Sequence, residues 1–356
     1  MTTDNTFEPM KLVDYNPKTR LVRKETKITQ PKFPVIDTHN HLAEPFGGGW
    51  DNKPLEELIQ QLDKAGIRHF VDLDGGWGEE IFYSHLEKFK IPAPDRFSVF
   101  CGIDWSKWGE LGDQFPEWVA NKLHQYKKDG ADGIKVWKPF GLQVKDHHNT
   151  LVNIDDQRLK LIWETAADLD LPIVIHVADP VAFFDPVDKF NERWEELQKN
   201  PDWIFTSPPF PPFMHILEGL ANLVKNYPKT IFIGAHVGCY AENLKWVGGL
   251  LEQCPNFYVD ISARIPELGR QPYTARKFFI EFFDRILFGL DFGPDIDAYR
   301  IYYRFLETDD EYFNYNQNPE AVPDSGRWMI YGLNLPDEVL QSVYFRNAEK
   351  VFKLKA

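Results

Sequence analysis

Eight short apolar runs, each followed by a segment with helical spacing, constrain the fold of this chain more than any other feature. The runs are rich in β-branched and aromatic residues, and the segments between them place apolar residues three or four positions apart. This alternation is typical of βα units around a parallel sheet, so eight units predict an α/β protein with the (β/α)₈ TIM barrel fold. The predicted strands are residues 33–39, 68–75, 96–103, 132–138, 171–176, 230–236, 256–262 and 285–291.

Two long connections interrupt this repeat. The fifth and sixth runs begin 59 residues apart, whereas a βαβ unit needs only about 30 residues. Residues 178–213 are therefore predicted to form a lid insertion over the mouth of the barrel, with a decorative subdomain as the alternative. A second long segment, 292–339, follows strand eight as a C-terminal extension. We predict one barrel domain over residues 33–356, preceded by a polar N-terminal arm over residues 1–32.

The composition excludes several classes of partner. The net charge is −14 and no long block of Lys or Arg is present, which argues against binding to nucleic acid or to an anionic membrane surface. No apolar stretch reaches a membrane-spanning length. The cysteines Cys101, Cys239 and Cys254 are widely spaced and form no CxxC pair, as expected in a reducing compartment. We therefore expect a cytoplasmic protein that acts on a small molecule.

Histidines and one aspartate stand where predicted strands end. In VIDTHNHL, residues 35–42, the alternation of side chains should place on one face Val35, Asp37, His39 and His41. Two imidazoles then converge at the C-terminal end of the strand, where the active sites of (β/α)₈ barrels lie. The other strand-end residues of this kind are His176, His236 and Asp291.

Each of these residues, taken alone, has a structural explanation. A lone buried histidine is usually a core residue with one hydrogen bond, and an aspartate after a strand is often a helix cap. Together they would impose a high desolvation cost on one barrel mouth unless something pairs with them. A divalent cation bound by neutral imidazole and carboxylate supplies that pairing, so the constellation favours a metal site.

Four motifs at these strand ends, VIDTHNHL, IVIHVADP, IFIGAHVG and ILFGLDFG, resemble those of the amidohydrolase superfamily. The similarity runs from about Phe33 to about Phe352 and indicates the branch that groups amidohydrolase-related hydrolases with aminocarboxymuconate-semialdehyde and resorcylate decarboxylases. The resemblance implies a homodimer and one divalent metal ion. A donor set of three histidines and one aspartate favours zinc, and manganese is possible. It implies four metal ligands, namely His39, His41, His176 and Asp291. It also makes His236 the acid/base or electrostatic clamp beside the metal.

This arrangement predicts a metal-dependent hydrolase of a small carboxylate-bearing ester, lactone or amide. The metal would lower the pKa of a water molecule toward neutrality, and His236 or Asp291 would accept or relay its proton as the catalytic groups. The alternative is non-oxidative decarboxylation of an unsaturated or aromatic acid at the same mononuclear site. A third interpretation is an inactive binding or scaffold protein that keeps the barrel.

Two basic residues are predicted to contact the substrate. Lys135 in strand four and Arg264 after strand seven would attract a carboxylate, with ordinary salt bridges as the alternative. Binuclear members of the superfamily carboxylate the strand-four lysine to bridge two metals, but the local sequence GIKVWKP favours a substrate-facing Lys135. Asp37 is predicted either to orient a metal ligand or to pair with a base in the barrel core.

Several aromatic residues could line a pocket for a ring. Trp77 and Trp137 are the predicted substrate contacts among them, and core packing is the alternative for the whole group. The other candidates are Trp50, Phe183, Phe184 and Phe210.

Overall fold

The barrel is built on eight parallel strands. The computed structural model describes residues 9–44, 46 and 48–354. Within them the strands are β1 Val35–Asn40, β2 Ile67–Gly75, β3 Phe97–Gly102, β4 Gly133–Val136, β5 Ile173–Ile175, β6 Phe232–Gly234, β7 Phe257–Asp260 and β8 Ile286–Leu287. Sequence neighbours pair in the order β1 to β8, and every pairing is parallel. Each strand overlaps a predicted one, so the predicted (β/α)₈ barrel is confirmed.

Backbone hydrogen bonds bring the first and last strands together. Thr38 N donates to the carbonyl oxygen of Phe288 at 2.9 Å, and Leu290 N donates to that of His39 at 3.2 Å. These contacts lie toward the C-terminal end of β1 and just beyond β8. The closure of the barrel therefore also brings His39 close to Asp291, although 252 positions separate them in the sequence.

Helices follow the strands and cover the outside of the barrel. The helix Leu55–Ala65 shows the expected end signals, because it follows Pro54 and stops at Gly66, whose φ of 80° suits a residue without a side chain. The α-helices of five or more described residues are Leu55–Ala65, Glu79–His85, Phe115–Asp129, Lys160–Asp168, Trp194–Lys199, Phe213–Asn226, Leu244–Gln253, Pro272–Glu281, Ile296–Glu307, Asp337–Gln341 and Asn347–Phe352. None of the helices in the described ranges is both long and apolar enough to cross a membrane.

The interior of the barrel has an apolar floor. One cluster takes a buried side chain from most of the strands, Ile36 among them, and is completed by the C-terminal helix. Val35 instead packs in the outer cluster between sheet and helices. The prediction that Val35 shares a face with the histidines is therefore wrong. The reason is that the pairing of β1 with β2 shifts register after Val35 and again between Asp37 and Asn40, which interrupts the simple alternation of side chains.

The N-terminal arm runs against the C-terminal extension. Within residues 9–32 the only regular element is a short 3-10 turn, Leu12–Asp14. Thr26 N donates to Asp310 Oδ2 at 2.6 Å, and the Thr26 hydroxyl donates to the other oxygen of the same carboxylate. The arm is thus tied to the segment that follows β8 rather than to the barrel mouth.

Candidate metal centre

Three of the proposed ligands meet at the C-terminal mouth of the barrel. His41 Nε2 lies 3.0 Å from Asp291 Oδ1, and His39 Nε2 lies 3.7 Å from the same oxygen. One ligand atom from each residue lies within 4.8 Å of the other two. Both imidazoles are buried, whereas the Asp291 side chain keeps 22% of its surface exposed. An ion arriving from solvent would therefore meet the carboxylate first.

A buried carboxylate holds the far side of each imidazole. His39 Nδ1 lies 2.9 Å from Asp260 Oδ2, and His41 Nδ1 lies 2.6 Å from Asp74 Oδ1. Such a partner fixes the ring orientation and leaves Nε2 as the atom that faces the site. Asp74 and Asp260 are not evident as site residues in the sequence. The signal that could identify them is their position at strand ends, in FVDLDG and FYVDIS.

Left-handed backbone conformations concentrate beyond β6 and β8. The angle φ is 58° at His236, 60° at Val237 and 65° at Asp291. A non-glycine residue held in this region costs on the order of 1–3 kcal/mol, and such residues cluster at functional sites. The backbone therefore adopts an unfavourable conformation at His236 and Asp291, the two residues whose side chains face each other across the mouth.

His236 presents an unprotonated nitrogen to the site. Its Nδ1 donates to the carbonyl oxygen of Ser262 at 2.9 Å, which leaves Nε2 as the acceptor of the ring, 3.7 Å from Asp291 Oδ2. Burial, with added repulsion from His176 and Arg264, lowers the pKa of His236 well below its ordinary value. The ring is therefore neutral at physiological pH, with a lone pair available to accept a proton.

His176 lies beside this group but outside the set of three. Its ring centre is 4.4 Å from that of His236. Its Nε2 is 3.3 Å from Asp179 Oδ1. Both ring nitrogens are buried, and neither makes a hydrogen bond with a described residue. Burial lowers the pKa of His176 to about 4, so the ring is neutral. Buried imidazole nitrogens without partners suit a bound cation, and the residues at this mouth therefore fit a divalent metal ion.

Two buried cations stand near the ligands without a carboxylate partner. Lys135 Nζ lies 3.0 Å from His39 Nε2, and burial lowers the pKa of this amine to about 8. Arg264 Nη1 donates to the carbonyl oxygen of Ala263 at 2.8 Å. Neither residue forms an ion pair within the part of the chain that the structure describes, so the salt-bridge alternative is not found there. Their positive charge remains available to an anionic group at the mouth.

Three rings form an aromatic wall beside these residues, namely Phe46, Trp77 and Trp137. The ring centres of Trp77 and Trp137 are 4.2 Å apart, and Phe46 stacks on Trp77 at 5.7 Å. The inner end of the wall is Trp137, which stacks on the proposed ligand His41 with 5.3 Å between the ring centres. Trp77 keeps 47% of its surface exposed. The aromatic wall thus leads from solvent to the candidate metal centre.

The remaining aromatic candidates match the core alternative. Trp50 is buried, and the phenylalanines of the insertion pack against its other rings. These ring contacts are Phe183 with Trp203, Phe184 with Phe205 and Phe210 with Phe205.

Asp37 supports the backbone of the site rather than a ligand ring. Its carboxylate accepts hydrogen bonds from the Tyr299 hydroxyl at 2.5 Å, the Asn40 amide at 2.7 Å and Leu290 N at 3.3 Å. The predicted pairing with a base is wrong within the described residues, because the carboxylate contacts no basic side chain there. Its contact with the proposed ligand His39 is to the backbone, since Asp37 Oδ1 accepts from His39 N at 3.2 Å. Asp37 instead ties β1 to the segment after β8.

Zinc binding to this site should tighten as the pH rises toward about 9. Burial would lower the pKa of His41, but its hydrogen bonds with Asp291 and Asp74 raise that pKa to about 9. A ligand nitrogen must lose its proton before it binds a metal, so each pH unit below the pKa should weaken zinc affinity about tenfold. Calorimetric zinc titrations of the full chain at several pH values measure this slope. Affinity independent of pH would contradict a protonated His41.

Comparison with known proteins places the chain among barrel enzymes. A family model described as amidohydrolase matches residues 110–354. A search of curated proteins found no match.

Solved structures share the barrel at low sequence identity. The 2,6-dihydroxybenzoate decarboxylase from Rhizobium is 16% identical with a TM-score of 0.54, over 91% of this chain and 100% of that chain. A dihydroxybenzoic acid decarboxylase from Polaromonas sp. JS666, solved with manganese and the inhibitor 2-nitroresorcinol, is 16% identical with a TM-score of 0.55, over 91% and 98%. A probable 2-pyrone-4,6-dicarboxylic acid hydrolase from Acinetobacter baumannii is 11% identical with a TM-score of 0.50, over 90% and 100%. Likeness at this level of identity shows the fold alone.

Proposed function

This chain belongs to the amidohydrolase family, and from that premise we propose that it is a metal-dependent hydrolase of a small carboxylate-bearing ester, lactone or amide. The observation that carries the proposal is the state of His236, which is neutral and directs Nε2 toward Asp291. Hydrolysis requires a group that accepts a proton from water, and an imidazole in this state is suited to that step.

The ion would be held by His39, His41 and Asp291, with His176 as the fourth ligand. When bound, such an ion supplies Lewis acidity and lowers the pKa of a water molecule toward neutrality. Zinc is proposed because three nitrogens and one carboxylate are a donor set that zinc accepts. Manganese is the alternative, supported by its presence in the Polaromonas decarboxylase.

The substrate is proposed to be planar and to carry a carboxylate. Lys135 and Arg264 would pair with that carboxylate, since both are buried and neither is neutralised by an acidic side chain in the described ranges. The aromatic wall would stack against the flat part of the molecule. Together these contacts would orient the reacting bond toward His236.

Decarboxylation of an aromatic acid is the second candidate, and the aromatic wall favours it. A ring stacked on Trp77 and Trp137 would place its carboxylate near Lys135, whose Nζ lies 4.5 Å from the centre of the Trp137 ring. Two of the three similar structures described above are dihydroxybenzoate decarboxylases. The neutral state of His236 counts against this candidate, because the ring has no proton on Nε2 to deliver to carbon.

A small substrate panel in isotopically labelled water separates the two reactions. We would incubate the zinc-loaded and manganese-loaded chain with 2-pyrone-4,6-dicarboxylate and 2,6-dihydroxybenzoate, and with dihydrocoumarin as a lactone that lacks a carboxylate. Mass spectrometry identifies the products. With the label on the water oxygen, hydrolysis predicts labelled oxygen in the organic product and no released CO₂, whereas decarboxylation predicts CO₂ and an organic product without labelled oxygen. The metal-stripped chain is the control. Only the absence of metal-dependent turnover across a wider library of esters, lactones, amides and unsaturated acids would make an inactive binding protein the leading interpretation.

A homodimer is proposed for the assembly. Apolar side chains of the N-terminal arm stay open to solvent on the single chain, with Val13 73% and Leu21 63% exposed. A second copy that covers them would remove this apolar surface from water.

A further inference from the structure

His85 is not one of the proposed metal ligands, but buried carboxylates link it to one of them, His41. We propose that His85 is a positioning residue, which strengthens metal binding by keeping Asp74 available to orient His41. This inference rests on the proposed metal site and assigns a role to a part of the chain that lies outside it.

The linkage is a continuous row of short contacts. His85 Nδ1 lies 2.6 Å from Asp72 Oδ2, and Asp74 N donates to Asp72 Oδ1 at 3.2 Å. Asp74 in turn contacts His41 Nδ1 at 2.6 Å. On its other side, His85 Nε2 lies 2.6 Å from Asp51 Oδ1. The row therefore runs from Asp51, whose side chain is 33% exposed, to a proposed ligand inside the barrel mouth.

The chemistry of this row differs from that of a metal site. Ligand-type atoms of Asp72, Asp74 and His85 lie within 4.8 Å of one another. However, both nitrogens of His85 already contact carboxylates. Of the two Asp72 oxygens, Oδ2 contacts His85 and Oδ1 accepts a hydrogen bond from Asp74 N. The group is therefore internally satisfied and leaves no free donor set for an ion.

Charge explains why the row needs a histidine. Asp72 and Asp74 are two carboxylates buried side by side, and like charges at this separation disfavour the ionisation of one of them. An imidazolium at position 85 offsets one of these two negative charges, and although burial would lower the pKa of His85, Asp72 raises it to about 9. Without His85, Asp72 would take up a proton. The protonated Asp72 would then compete with His41 for a hydrogen bond to the Asp74 carboxylate. Asp74 would then accept less well from His41, whose Nε2 is the atom offered to the metal.

The test is a double-mutant cycle read by zinc affinity. Loss of an outer hydrogen-bond partner typically costs 10–100-fold in metal affinity, so Asp74→Asn should raise the Kd for Zn²⁺ by that amount. His85→Gln should raise it about tenfold in the wild-type background and less than about twofold in the Asp74→Asn background, because the effect passes through Asp74. The Kd is measured with the full chain by competition against a fluorescent zinc chelator.

A matched control removes a different buried histidine, His69, which lies in β2, the strand that carries Asp72 and Asp74. His69 donates through Nδ1 to the carbonyl oxygen of Asp95 and contacts Ser98 Oγ through Nε2, and no described contact joins it to Asp74. His69→Gln should therefore leave zinc affinity unchanged while it lowers stability. Equal losses in both histidine variants, or equal losses from His85→Gln in both backgrounds, would show a general structural effect and overturn the inference.

Two further outcomes distinguish a failure of the proposed metal site from a failure of the role of His85. A wild-type chain that binds no zinc would overturn the metal site and this role with it, whereas normal binding by both wild type and His85→Gln would overturn the role alone. If circular dichroism shows that His85→Gln does not fold, Asp51→Asn at the outer end of the row replaces it in the same cycle. A loss of about threefold that disappears in the Asp74→Asn background supports the role, and no loss contradicts it.

Discussion

Replacement of His236 by asparagine is expected to lower kcat by about 10²–10⁴-fold and to leave the amount of bound metal per chain unchanged. The size of the effect is that of a lost general base. In the wild-type chain, Nδ1 of this residue donates to the carbonyl oxygen of Ser262, and Nε2 is the neutral acceptor beside Asp291. The asparagine amide can keep the bond to Ser262 but cannot take up a proton at the site.

Kinetics with the substrate identified in the panel, together with elemental analysis, measure both parts of this prediction. His69→Asn serves as the control, because it removes a buried imidazole that has no contact with the mouth. Unchanged turnover in His236→Asn would remove the proton-accepting role. Loss of the metal would instead make His236 a ligand rather than a base.

Replacement of Asp291 by asparagine is expected to weaken zinc binding by more than about 100-fold, with turnover falling in parallel. Loss of an outer hydrogen-bond partner alone costs 10–100-fold in metal affinity, and loss of a charged ligand should exceed that range. Asp291 is the carboxylate that faces both His39 and His41, at 3.7 and 3.0 Å. Zinc titration of the full chain measures the effect.

Asparagine is the informative substitution here because of the backbone. The φ of Asp291 is 65°, a left-handed conformation that asparagine tolerates better than most residues. Asp291→Asn therefore removes the charge with little added strain, whereas Asp291→Ala would change charge and backbone energy together. Retention of full zinc affinity by the asparagine variant would exclude Asp291 from the ligand set. A loss of affinity in the alanine variant alone would assign the effect to the backbone.

The parts of this protein that the sequence predicts are those encoded by local patterns. The period of apolar residues identifies all eight strands, and the position of His39, His41 and Asp291 at strand ends predicts that they meet. The partners of the ligand rings could not be predicted in the same way. The contact of His41 with Asp74 depends on how β1 and β2 are aligned, and that alignment contains register shifts that no local pattern reveals.

The same reasoning accounts for the two wrong predictions in β1. Strict alternation assigned Val35 to the face of the histidines, but the shifts in the β1–β2 pairing turn it outward. In place of the expected basic partner, Asp37 contacts Tyr299 and Leu290, which come from segments far along the chain. Long-range partners of this kind become visible only when the barrel closes.

The aromatic wall gives the candidate metal centre an optical reporter of its own. Trp137 stacks directly on His41, and Trp77 beside it is partly exposed. The fluorescence of an indole changes when a ring stacks on it or when a quenching ion binds nearby. The part of the intrinsic emission that Trp137→Phe removes can therefore follow the arrival of metal and of aromatic ligands in real time, apart from the emission of the other tryptophans of the chain.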